Sequence, residues 1–324
     1  MSEQTDKEFK NEHDTLFKSF FGVKQTMLDY LNYFLPPELL ERINLEDLSL
    51  DETSYRTADM KAFESDRVYR AFFKLKNKKS RPLAIAFLLE HKSYPSKYIA
   101  IQLLTYIISI WQNDIANDRE LTFILPIVIY QGEKSWQPKS LADHFANIPN
   151  EFLRFLPVFD FHLTKVNNYD TETLEKTKGI GLLKSLFLSY KTLGDKDYLE
   201  KHIEELFKSF EGKPELLELL RMFVGYVLRN SELSGIELKK RLAKIKSKPL
   251  KSDIMSTYDS IIKLGEAKGE KRGEKRGEKI GETKKTIAGI VKSLNLGKLT
   301  IAEIAETFEV DIDYVLKIKK ENNL

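Results

Sequence analysis

Glu90 and Lys92 end an apolar stretch, residues 83–90, that reads as a β-strand, and Asp66 opens another strand-like stretch ahead of it. Successive strand side chains point to opposite faces, so Glu90 and Lys92 share a face while His91 takes the other. Charges on the end of so apolar a strand are costly to bury unless they sit at a sheet edge or cleft and meet a metal or ligand. Two acids and a lysine placed there suit metal-dependent hydrolysis of a phosphodiester. An acid two residues before a lysine is also common on solvated strand ends, so the surrounding elements must decide between the two readings.

Those elements form an ordered series. The stretch from Asp66 to Leu75 puts Tyr69, Ala71, Phe73 and Leu75 on one side, and a polar turn at 76–81 leads into the strand at 83–90. This predicts a β-hairpin whose pairing brings Asp66 close to Glu90. Ser96 is a predicted helix N-cap, followed by Ile99, Leu103, Tyr106, Ile107 and Ile110 at helical spacing. Gln102 and Tyr106, four residues apart, share a face of that helix. A further strand is predicted over 121–130, where Pro126 favours an edge position or a bulge.

The blocks Glu90 to Tyr98, Gln102 to Tyr106 with Trp111, and Pro126 to Tyr130 with Gly132 and Trp136 resemble the recombination-promoting nuclease / putative transposase family, within the PD-(D/E)XK nuclease superfamily. His13 to Lys18 and Ser65 to Tyr69 resemble two further blocks of it. The likeness runs from about residue 10 to 165, and more loosely into the tail. It implies a PD-(D/E)XK-like α/β nuclease core with a mixed central sheet flanked by helices, followed by a helical region. It further implies that Asp66 and Glu90 bind a divalent metal, that Lys92 assists the nucleophile, and that Gln102 and Tyr106 stand beside the site. Asp59 is a rival to Asp66, which has the better strand register. Many family members carry Gln at the position of Lys92, so the lysine favours an active enzyme; Gln131 departs from the family, where His commonly precedes the glycine. Mg²⁺ takes oxygen ligands and retains waters, so the two carboxylates and a main-chain carbonyl, here that of His91, make a sufficient site. The metal polarises the phosphoryl oxygen, and Lys92 stabilises charge developing on phosphorus.

The rest of the chain narrows the choice. With 324 residues, 42% hydrophobic, it can build a sizeable α/β core plus a helical region. A net charge of +3 gives no global polycation, so DNA would meet a local basic surface such as the run 74–81, which reads equally as a solvated turn. The absence of cysteine excludes disulfides, thiolate catalysis and cysteine zinc sites. The five histidines, His13, His91, His144, His162 and His202, lack metal-ligand spacing and read as mostly structural. No signal pattern or bilayer-length apolar run occurs, which predicts a soluble cytoplasmic protein.

Four regions are expected: a nuclease domain over 1–165, a helical region over 166–260, a glycine-repeat helical tether over 261–285 and a small module over 286–324 with a helix-turn-helix outline. In the helical region Leu216, Leu219, Leu220, Phe223 and Val227 read as core. The tether carries Gly265, Gly269, Gly273, Gly277 and Gly281, each costing roughly 1 kcal/mol of helix propensity relative to alanine. In the module Asp311 is a candidate N-cap, and binding of DNA or of protein stays open. The expected function is Mg²⁺-dependent DNA endonuclease of low sequence specificity in recombination or mobile-element biology. The alternatives are an inactive DNA-binding or assembly protein that keeps the fold, and a metal-dependent hydrolase of RNA or nucleotides. DNA is the expected partner, and self-association through the helical region or the tail is left open.

Overall fold

The structure, a computed structural model, describes residues 3–51, 67–74, 84–145 and 147–324. Asp59, Asp66 and the turn at 76–81 lie outside the described residues. Two compact units, Met1–Tyr258 and Asp259–Leu324, divide the chain.

The first unit opens with α1 (Glu3–Phe20), α2 (Lys24–Phe34) and α3 (Pro37–Leu40), followed by β1 (Ile43–Asp51), β2 (Arg67–Phe73) and β3 (Ala84–Lys92). Then come α4 (Ile99–Ala116), β4 (Phe123–Tyr130), α5 (Asn150–Leu153) and β5 (His162–Lys165). The helices α6 (Thr171–Lys176), α7 (Gly181–Thr192), α8 (Lys196–Phe207), α9 (Leu217–Asn230) and α10 (Gly235–Leu242) follow, and α11 (Lys248–Leu296) carries on into the second unit. The strands form one sheet in the order β1-β2-β3-β4-β5. β1, β2 and β3 pair antiparallel, whereas β3, β4 and β5 pair parallel, so the unit is α/β with a mixed sheet.

Strand alternation sorts the two faces. Val68, Ala86, Ile124, Val128 and Tyr130 meet Ile99, Leu103, Tyr106, Ile107 and Ile110 of α4 in one apolar cluster. The opposite face takes the N-terminal helices. Tyr69 donates from its hydroxyl to the Phe21 carbonyl (2.9 Å), Tyr30 and Thr164 share a hydrogen bond (2.7 Å), and Phe20 packs edge-on against Phe223. Leu216, Leu219, Leu220, Phe223 and Val227 are buried as expected of core residues.

Two local expectations need correction. α4 begins at Ile99 after Tyr98, with no side-chain cap, rather than at Ser96. The first turn forms where Ile99 and Ala100 are buried, and burial outweighs one cap bond. β4 lies inside the sheet, not at its edge. Its ladder to β5 starts only at Ile127, so Pro126 pairs with β3 alone and its missing N–H leaves no gap on the β5 side.

At the far end of α4, buried Asp114 accepts from the Thr122 backbone N–H (3.0 Å) and lies 3.1 Å from an Arg119 nitrogen. Arg70 donates to Thr122 Oγ1 (2.8 Å) and pairs with Asp51. These contacts fix the C-terminal end of α4 to the sheet, and so the rotation of the helix that carries Gln102.

In the second unit the C-terminal part of α11 packs with α12 (Ile301–Thr307) and α13 (Ile312–Glu321) around Ile290, Ile304, Ala305, Val315 and Ile318. Thr300 and Glu303 form a reciprocal capping box at the start of α12. Asp311 holds the N-cap position of α13, but its side chain makes no cap bond. A Cβ on Gly289 would fall 2.4 Å from the Phe308 ring, so glycine permits that approach. Gly265, Gly269, Gly273 and Gly277 are exposed and Gly281 is half-buried within unbroken helix α11, and nothing lies within 4 Å of where the Cβ atoms of these five would stand.

Candidate active site

On the α4 face, the end of β3 presents a buried ion pair. Lys92 Nζ donates to Glu90 Oε1 at 2.7 Å, and Gln102 Nε2 reaches the same oxygen at 2.6 Å. The Lys92 side chain is 11% exposed and that of Glu90 6%, so the pair is held largely out of water. Glu90 Oε2 is buried and, among the described residues, has no hydrogen-bond partner. Burial pushes the Glu90 carboxyl above its ordinary value, and the neighbouring Lys92 ammonium and Gln102 amide pull it back only in part. One oxygen is thus doubly held and the other is bare, which fits a cation or a ligand donor on the bare side.

Glu90 and Lys92 share a face as strand alternation predicts, and Gln102 joins them, which the family resemblance implied. Tyr106, one turn further along α4, is buried in the apolar cluster. Asp66 lies outside the described residues; its sequence neighbour Arg67 pairs with Leu89, the neighbour of Glu90. Among the described residues no three acidic or histidine side chains gather in a group that could hold a metal ion.

Past Lys92, the Gln131 N–H donates to the Lys92 carbonyl (2.9 Å), extending the ladder to β4. Lys92 thus directs its carbonyl toward β4, and strand alternation turns the His91 carbonyl to the β2 side. Gly132 lets the next loop lie flat here: an added Cβ would stand 2.4 Å from the Tyr130 hydroxyl and 2.5 Å from the Ser93 carbonyl oxygen.

The imidazole of His91 occupies the other face of β3. It is buried and stacks between Phe17 of α1 (4.8 Å between centroids) and Tyr190 of α7 (5.5 Å). Its Nδ1 lies 3.0 Å from Asp14 Oδ1. His13 packs edge-on against Tyr190 and Tyr226, and shares a 2.7 Å hydrogen bond with the Tyr226 hydroxyl. Burial and the nearby His91 hold the His13 imidazole down at about 4. The histidines read as scattered therefore include two whose rings pack against the same tyrosine, Tyr190. Only the family-like block at His13 to Lys18 marked the spot, and no role was read from it.

A family model described as "Putative transposase, YhgA-like" matches residues 11–218, close to two thirds of the chain. The chain belongs to that family. The match begins within α1 and ends in α9, so the family region includes the sheet, the Glu90 pair and the helices that enclose His91. Among curated relatives, Recombination-promoting nuclease RpnD of Escherichia coli O157:H7 is 31% identical over 139 residues, 42% of this chain and 52% of that protein. RpnC of Escherichia coli K12, also named a recombination-promoting nuclease, is 30% identical over 131 residues, 40% of this chain and 42% of that protein. RpnE of the same strain, named an inactive recombination-promoting nuclease-like protein, matches with the same identity and coverage. The chain spans about half the length of the curated relatives it matches. No solved structure gives a significant match.

Proposed function

We propose that this chain is a divalent-metal-dependent DNA endonuclease of low sequence specificity, built on a PD-(D/E)XK-like core and acting in recombination or mobile-element biology. The observation that carries the reading is the buried Glu90 carboxylate, with one oxygen shared by Lys92 and Gln102 and the other bare among the described residues. The relatives named as nucleases support the choice of chemistry.

Asp66, Glu90 and the main-chain carbonyl of His91 would hold Mg²⁺, with waters completing the oxygen shell. The ion would supply Lewis-acid stabilisation of charge on the phosphoryl group. Lys92, fixed by Glu90, presents an ammonium at the same strand end, where it orients the attacking water and offsets charge building on phosphorus. Gln102 fixes the Glu90 rotamer, so the bare oxygen keeps its direction. Tyr106 is assigned to the site as a group that shapes its wall from α4. A local basic surface including Lys74 would meet the phosphate backbone, and the 286–324 module adds a tethered contact to DNA or protein.

Incubation with supercoiled plasmid tests the proposal: nicking with Mg²⁺, none with EDTA, and none by Glu90→Ala or Asp66→Ala is expected. The relative named inactive, at the same identity as the nucleases, supports a second reading, a DNA-binding or assembly protein that keeps the fold. Plasmid that is retarded in a gel but left uncut under Mg²⁺ would establish that reading and refute the first.

A further inference from the structure

We propose that Asp14 is a positioning residue for the metal site on the opposite face of β3, acting through the side chain of His91. The inference rests on the metal-site reading above and assigns a task to a cluster that reading leaves unused. His91 sits in the β3–β4 ladder opposite Ile129, and strand alternation turns its carbonyl, the oxygen ligand of the metal-site reading, to the opposite edge of β3. The β4 ladder holds the peptide from one edge, and the contacts of the side chain hold it from the face of the sheet. The imidazole is held on three sides: Nδ1–H donates to Asp14 Oδ1 (3.0 Å), while Phe17 and Tyr190 sandwich the ring. A side chain fixed in this way limits rotation of the backbone that bears it, and with it the direction of the carbonyl between Glu90 and Lys92.

The clamp has a second tier. His13, next to Asp14 on α1, bonds to Tyr226 of α9 and packs against Tyr190 of α7. The helices after the sheet therefore reach the catalytic strand through side chains, from the face away from the substrate. Outer-shell groups that orient metal ligands typically change affinity 10–100-fold when removed.

The test is Mn²⁺ binding to the full chain, followed by electron paramagnetic resonance of the free ion, with thermal unfolding in EDTA on the same samples. Asp14→Ala and His91→Phe, which keeps a ring between Phe17 and Tyr190, are each expected to weaken Mn²⁺ binding about tenfold. Asp14→Asn retains an oxygen that accepts from Nδ1–H and should bind near the wild-type level. The double variant Asp14→Ala/His91→Phe should bind no worse than either single, since both remove one bond. If the single variants lose thermal stability in EDTA yet bind Mn²⁺ like wild type, Asp14 only packs and the proposal fails. Equal impairment of Asp14→Asn and Asp14→Ala would also overturn it. Glu90→Gln run alongside tests the underlying reading: if it binds Mn²⁺ undiminished, the ion sits elsewhere and both readings fall.

Discussion

Lys92→Met should destabilise the first unit in a pH-dependent way that its partner substitution cures. Both side chains of the pair are about a tenth exposed or less, so this is the regime in which deleting one partner of a buried ion pair costs about 3–5 kcal/mol. The retained Gln102 hydrogen bond still serves Glu90 Oε1, which favours the lower end, about 3 kcal/mol. At about 2–4 °C per kcal/mol for a unit of this size, the melting temperature should fall by about 6–12 °C at pH 8. Glu90 already titrates above its ordinary value because it is buried, and losing Lys92 raises it further. The folded state then binds more protons than the unfolded one, so the variant regains stability as the pH falls toward the unfolded glutamate range near about 4.3. The penalty at pH 5 should be visibly smaller than at pH 8. Glu90→Gln/Lys92→Met removes both charges and should return to wild-type stability or exceed it, while cleaving no plasmid. Thermal unfolding of the wild type, Lys92→Met, Glu90→Gln and the double variant at both pH values completes the cycle. A Lys92→Met penalty that is absent, or equal at pH 5 and pH 8, would refute a buried Glu90–Lys92 couple.

Gly132→Ala should cost about 1–3 kcal/mol by overpacking against Tyr130 and the Ser93 carbonyl, read as a lower urea midpoint, and an unchanged midpoint would contradict the loop geometry. His13, held at about 4 against an unfolded value near about 6.5, stays neutral in the fold while the unfolded chain takes up its proton. Stability should therefore drain away by up to about 3 kcal/mol as the pH falls through that window, and His13→Gln should flatten the slope. A chain ending at Ile261 should stay folded and keep Mg²⁺-dependent cleavage at high protein concentration, with weaker DNA retardation; loss of all cleavage in a folded truncation would place part of the site in the tail. Alanine at Gly269, Gly273 and Gly277 should raise helicity by circular dichroism and stabilise α11 by about 0.5–1 kcal/mol per site, since nothing opposes the added methyl groups.

What could be read from the sequence was whatever depended on short-range periodicity. Glu90 and Lys92 fall on one face because strand alternation requires it, and Gln102 reaches them because α4 packs the face that carries Ile99, Leu103 and Tyr106. The helices after the sheet also declared their buried faces through Leu219, Leu220, Phe223 and Val227. What could not be read depended on distance along the chain. His91 meets Asp14, 77 residues earlier, and His13 meets Tyr226, 213 residues later, pairings that no local spacing encodes. Ser96 misled because a good capping residue loses to the place where apolar burial begins. Pro126 misled because a strand internal to a sheet can still have a single neighbour at one residue. The glycine repeat argued for a weak helix, yet α11 runs through it, as extending a helix already nucleated on either side avoids the cost of a new nucleus.

The two edges of the sheet differ from its middle in a way that bears on assembly. β1 loses register with β2 between Asn44 and Ser49, which makes the outer strand irregular, and β5 at the other edge offers only four residues. Irregular or very short edge strands are poor templates for a further strand. Copies of this chain brought together at high concentration would therefore find little to recruit along either margin of the described strands, and that sheet resists growing from one molecule into the next.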